Sequence, residues 1–164
     1  FSAGTSPDRN AVIGKYEPAL EGDADATRGH AVFKKNCATC HRVGEEGFAV
    51  GPDLVSISNK SPRDLLIAIL DPNREAQPNF TSYTALTESG QVHTGLIAAE
   101  TAGSITLRRA EGKEDTLLRE DIEVLKSNGI SLMPVGLEKE ISPEQMADVV
   151  AFIKSLQTMK TSQK

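Results

Sequence analysis

Two thiols and an imidazole stand together in Cys37-Ala38-Thr39-Cys40-His41, and the chain has no other cysteine. A disulfide between residues three apart would close too small a loop to remove much chain entropy. A thioredoxin-like redox pair needs a strand–helix–strand context, and none leads into this site. A tetrahedral zinc site needs four ligands, and no second Cys/His cluster follows. The spacing C-x-x-C-H does serve attachment of haem c, in which both thiols add to vinyl groups and the adjacent His lies beneath the iron. One covalently bound haem c is therefore expected, held by Cys37 and Cys40, with His41 as an axial iron ligand.

Composition agrees with a soluble globule of about one domain. Of the 164 residues, 38% are hydrophobic, slightly few for the length, and 25% are charged. A bulky apolar cofactor in the core would compensate. Trp is absent and aromatics make up 4%, which disfavours a sugar-binding or base-stacking surface. The formal net charge of −5 argues against nucleic acid and for a partner that is basic where it docks. No apolar run approaches the roughly 20 residues needed to span a bilayer. No signal peptide is visible, and the opening Phe1 fits either a removed leader or a piece of a longer polypeptide.

Several elements must position the motif. Residues 1–24, rich in Gly, Pro, Ser, Asp and Ala, read as an arm or linker with a short helix around Arg9–Tyr16. Asp25 or Thr27 can cap a helix through Arg28–Asn36 that ends at the cysteines, followed by a Gly-containing loop from Val43 to Asp53. Ser61-Pro62 opens a further helix, apolar nearly all round, which Asp71-Pro72-Asn73 ends. Alternation over residues 80–119 then predicts a small antiparallel meander of four strands with one apolar face packed on the helical part. Helix is expected again over Arg119–Lys126, then a loop at Asn128-Gly129. Ser142 and Pro143 start a last helix whose Met146, Val149, Val150, Ile153 and Leu156 recur at helical spacing. The polar residues 158–164 read as a frayed tail. The expected fold is mainly α: a helical haem domain over residues 25–157 with a β-rich insertion at about 80–119.

Around the motif the chain resembles class I cytochrome c. Gly29-His30-Ala31-Val32-Phe33 is similar to the first helix of that family, and Asp148-Val149-Val150-Ala151-Phe152-Ile153 to its last. The resemblance implies that these helices cross at Gly29, with Phe33 and Phe152 as partner aromatics. Gly51-Pro52-Asp53-Leu54 matches the family's Gly-Pro-x-Leu, which implies that the Pro52 carbonyl accepts the N–H of His41 and fixes its tautomer. Ordinary class I proteins lack the β-rich stretch. Its presence, with the Tyr16-Glu17-Pro18-Ala19-Leu20 lead-in, makes residues 15–157 similar to the haem-binding domain of large multidomain planctomycete proteins. There it often follows a propeller-like dehydrogenase or a helical-repeat region.

Five side chains could supply the second axial ligand: Met133, Met146, Met159, His30 and His93. Met146 belongs to an apolar helix face, Met159 to the tail, and His30 sits beside the attachment site rather than opposite it. His93 lies in an expected strand. Met133 lies in the loop Asn128–Pro134 ahead of the last helix, where the family's distal Met is found, and the resemblance makes it the expected ligand. The expected function is one-electron transfer rather than catalysis, with a redox partner protein or fused dehydrogenase domain, in the periplasm or another extracytoplasmic compartment. The alternatives are a haem sensor or peroxidase-like enzyme with an open distal site, or a structural haem domain.

Overall fold

The computed structural model describes residues 7–161. Its helical part is assembled from α1 (Pro7–Tyr16), α2 (Ala26–Asn36), α3 (Leu54–Ile57), α4 (Pro62–Leu70), α5 (Pro143–Ser155) and the short α6 (Gln157–Thr161). The caps are those the sequence offers. Asp25 accepts the amide of Arg28 at 2.8 Å, Ser61 that of Asp64 at 3.1 Å, and Ser142 exchanges bonds with Gln145 in a capping box.

The frame of this part is the contact of α2 with α5. A Cβ at Gly29 would overlap the Asp148 carbonyl, so the backbones touch where a side chain is missing. The Asp148 carboxylate also accepts from the Asp25 amide at 2.7 Å and from the Arg28 guanidinium at 2.8 and 2.9 Å. Phe33 and Phe152 meet above the crossing with centroids 5.5 Å apart, as the class I resemblance implies. Leu65, Leu66 and Leu70 of α4 pack into the same core as Met146, Val149, Val150 and Ile153 of α5.

The expected N-terminal arm is part of this core. Ile13 and Tyr16 of α1 are buried, the Tyr16 hydroxyl reaches the carbonyls of Glu138 and Ile141, and Arg9 pairs with Glu138 at 2.5 Å. A segment of turn-rich composition is tied down by two side chains, which its composition does not reveal. At the other end α6 continues helix through Thr161; the rest of the expected frayed tail, 162–164, lies outside the described residues, as do 1–6.

The β-rich part is larger than expected. Besides the two-residue strands β1 (Arg42–Val43) and β2 (Glu46–Gly47) of a small hairpin, it has β3 (Thr81–Thr87), β4 (Val92–Glu100), β5 (Ser104–Arg108), β6 (Glu114–Leu118) and β7 (Ile122–Ser131). The last of these replaces the helix expected over Arg119–Lys126. Its burial recurs every third residue, at Ile122, Leu125, Asn128 and Ser131, which imitates helical spacing. The pairing with β3 is irregular on either side of the stretch Tyr83–Leu86, and Asn128 is covered on the face opposite Leu125, where it bonds Ser82 and Thr84. The insertion therefore runs to Ser131 rather than residue 119, and strands claim much of the chain expected to be mainly α.

Strand order is β6-β5-β4-β3-β7, with every pairing antiparallel. In a flat sheet β6 and β7 would lie about 19 Å apart. The chain from Leu118 to Ile122 reaches at most about 14 Å when fully extended, and here it is a tight 3-10 turn. The sheet must curl until its edges approach, forming a small, nearly closed barrel. Its apolar face thus packs on itself: Ala85, Ile105 and Leu107 are fully buried among Tyr83, Ile97, Leu117, Ile122 and Leu125. Among the described residues that face forms a cluster separate from the helical core, rather than packing on the helices as expected.

Two outcomes test the helix crossing. Gly29→Ala should destabilise the protein by about 3 kcal/mol through overpacking, read by denaturant unfolding at 222 nm. The Asp148 carboxyl is held below its ordinary 3.8 chiefly by the hydrogen bonds from Arg28, against the effect of burial. Its contribution to stability is present in full above that value and is lost as pH falls through the lowered folded one. Asp148→Asn should therefore flatten the acid limb of the melting profile below about pH 4, and an unchanged acid limb would exclude this linkage.

Candidate haem site

α2 delivers the attachment residues. Cys37 caps its C-terminus, and the Cys37 carbonyl accepts the amides of both Cys40 and His41, at 3.1 and 2.9 Å. This helix-like turn is closed by the following loop, in which the Cys40 carbonyl accepts from Val50 and Gly51 and the Ala38 carbonyl from Phe48. Gly47, at φ 82°, lies so close to the His41 carbonyl that a side chain there would overlap it. Attachment turn and loop 47–52 are one hydrogen-bonded unit.

That unit fixes the imidazole. His41 Nδ1 lies 2.8 Å from the Pro52 carbonyl, which can only accept, so Nδ1 carries the proton and Nε2 is left with its lone pair. Burial pushes the His41 pKa down, with the Pro52 bond opposing, and so favours neutral imidazole. A Cβ at Gly51 would stand 2.7 Å from His41 Cε1, so the ring rests against bare backbone. Both cysteines are free, and burial, then the neighbouring Cys40, raises the Cys37 thiol to about 11. A thiol so protonated is no redox nucleophile. Among the described residues no group of three or more His, Cys, Asp or Glu is placed to hold a metal ion. Two unpaired thiols beside a neutral imidazole with a free Nε2 are the donor set that haem c requires.

The other candidates separate clearly. Met146 is fully buried in the helical core, and Met159 is exposed. His30 Nε2 bonds Glu46 at 2.7 Å, and its ring stacks on Phe152 at 4.8 Å, so it serves the crossing. His93 lies in β4 with Nδ1 3.6 Å from Asp115. Met133 is half-buried in the loop after β7, which is pinned by Ser131 N to Asn73 at 2.8 Å, Leu132 N to the Phe80 carbonyl at 3.0 Å and Met133 N to the Ser131 hydroxyl at 3.1 Å. It lines a cavity of about 440 Å³ together with Thr84, Thr94 and Asn128, and the lining includes none of Cys37, Cys40 and His41. Sequence reasoning missed Asn73, which gives no local sign of its role, and the contact of Gly51 with His41, although Gly51 stood in the quoted motif.

Comparison with known proteins now gives the class. The family described as cytochrome c oxidase, cbb3-type, subunit III, matches residues 24–89. A cytochrome c-553-like protein of Synechocystis is 43% identical over 49 residues, covering 30% of this chain and 44% of the relative. The chain thus spans less than half the length of that relative. Both likenesses support a c-type cytochrome, with iron-bearing haem c covalently attached.

Gly51→Ala should push the imidazole off its rest, destabilising by about 2 kcal/mol and shifting the ferric absorption spectrum of the mature protein. A spectrum and unfolding midpoint like the parent's would show that Gly51 does not hold the ring.

Proposed function

We propose that this protein carries single electrons by outer-sphere transfer through one haem c bound to Cys37 and Cys40, with His41 and Met133 as axial ligands. The hydrogen bond from His41 Nδ1 to the Pro52 carbonyl carries this reading, because it leaves the Nε2 lone pair available to iron and strengthens its basicity. Bound haem supplies a one-electron iron couple, and thioether ligation in a buried pocket favours its reduced form. The chain's own part is positional. The turn 37–41 presents two thiols, loop 47–52 locks the imidazole, and the three bonds around Ser131 hold the Met133 loop. The proximal unit is rigid by construction, which keeps reorganisation small during transfer.

Its partner would be a redox protein or a fused dehydrogenase domain, acidic surface meeting basic. Haem c attachment and the c-553-like relative support an extracytoplasmic site, such as the periplasm. Among the described residues no helix is long and apolar enough to cross a membrane. The planctomycete-type multidomain resemblance belongs to the same proposal, supported by the β-rich insertion. A second reading, gas sensing or peroxidase-like chemistry, draws on the cavity of about 440 Å³ that Met133 lines, since a small ligand there would lie beside the proposed distal sulfur.

Ferric and ferrous absorption spectra of the mature protein, with and without carbon monoxide, separate the two. A low-spin spectrum with the Met-sulfur charge-transfer band, indifferent to carbon monoxide and losing that band in Met133→Ala, is expected of the carrier. High-spin ferric iron or rapid carbon monoxide binding in the parent would move the assignment to sensing or catalysis.

A further inference from the structure

The barrel meets the attachment unit at the tip of the β5–β6 hairpin. Glu111 N donates to the Thr39 carbonyl, between the two cysteines, at 2.6 Å. Arg108, held by Glu114 at 2.7 and 2.9 Å, reaches the Ala49 carbonyl at 3.4 Å. Gly112 faces the ring of Phe48, whose Cδ1 is 3.4 Å from a Cβ placed there. One hairpin thus touches both halves of the unit, the turn 37–41 and the loop 47–52. Glu111 adopts φ 62°, and it is the one non-glycine residue with positive φ among those described. A side-chain-bearing residue stays in that region when its surroundings over-determine it. Here the strained residue is the one whose amide binds Thr39.

We propose that the β5–β6 hairpin is a proximal clamp, in which Arg108 and the Glu111 amide act as positioning groups that hold loop 47–52 against His41 and so set the iron's potential. The chain of contact is short. Ala49 lies two residues from Gly51, on which the imidazole rests, and three from Pro52, whose carbonyl orients it. The Thr39 carbonyl belongs to the turn whose Cys40 carbonyl binds the Gly51 amide. Releasing the hairpin frees both sides of that pair at once. The Arg108 guanidinium, though paired with Glu114, also brings a cation to the loop, and the Glu111 amide stands where water would otherwise bind the exposed Thr39 carbonyl. Loss of either effect stabilises the ferric state.

The clamp rests on His41 as axial ligand, and its test is built to tell the two failures apart. Two variants of the mature holoprotein are compared with the parent by redox titration and by electron paramagnetic resonance of the ferric form. Arg108→Ala removes the side-chain contact. In the second variant Asn-Gly replaces residues 109–113, joining the paired residues Arg108 and Glu114 by a two-residue turn and removing the Glu111 amide and Gly112. Arg108 is outside the buried barrel core, so its variant remains informative if the shortened hairpin does not fold. The expected result is a lower midpoint potential and a broadened low-spin signal in both variants, with covalent haem retained, and recovery toward the parent in Arg108→Lys. Potentials and signals equal to the parent's, or a raised potential, would overturn the clamp. A parent that lacks a His-ligated low-spin signal would instead overturn the axial assignment itself.

Discussion

The close approach of α2 and α5 through Gly29 is the contact on which the remaining structure depends. It fixes where α2 ends, and the end of α2 is where the cysteines begin. Asp148 makes the crossing specific in two ways. Its carbonyl fills the space a side chain at Gly29 would need, and its carboxylate ties down the Asp25 amide and Arg28 at the start of the same helix. Translation and rotation of α2 are thereby set by one residue of α5. The aromatic stack of His30, Phe33 and Phe152 then covers the crossing, and the Glu46 bond to His30 links it to the hairpin after the haem motif.

Against this frame the barrel is self-sufficient in its core but not in its placement. Its interior of Ala85, Ile105 and Leu107 is separate from the helical core. Two polar attachments locate it. At its neck, Asn73 and Phe80 hold Ser131 and Leu132; at its hairpin tip, Glu111 and Arg108 hold Thr39 and Ala49. The neck carries Met133 and the tip presses on the loop that orients His41. One insertion therefore touches both sides from which the iron would be held under the proposed ligation. Hydrogen bonds suit such a duty, since they fix direction as well as distance.

Much of the site was legible because it is written over short spans. Cys37, Cys40 and His41 lie within one turn, and Gly51-Pro52 within a loop length of them. The helix caps Asp25, Ser61 and Ser142 act on amides three residues away or fewer. The crossing was implied by the resemblance to class I cytochrome c, through Gly29, Phe33 and Phe152. The segment Arg119–Lys126 was misread as helix because the partner that makes it a strand, β3, lies some 40 residues upstream. The N-terminal segment was misread because what docks it, Glu138 and Ile141, is far away in sequence.

The sequence by itself pointed to covalent haem c attachment and to the helix caps at Asp25, Ser61 and Ser142, which follow from spacing and capping rules that act locally, while the imidazole's partner Pro52 came through the class I resemblance. Tertiary structure alone decided that the β-rich stretch closes on itself, that α1 belongs to the core, and that a barrel hairpin rests on the attachment turn. These depend on loop lengths measured against sheet width and on contacts between residues 59 and 129 apart, as Ala49 with Arg108 and Arg9 with Glu138 show. No local window of the chain contains both partners.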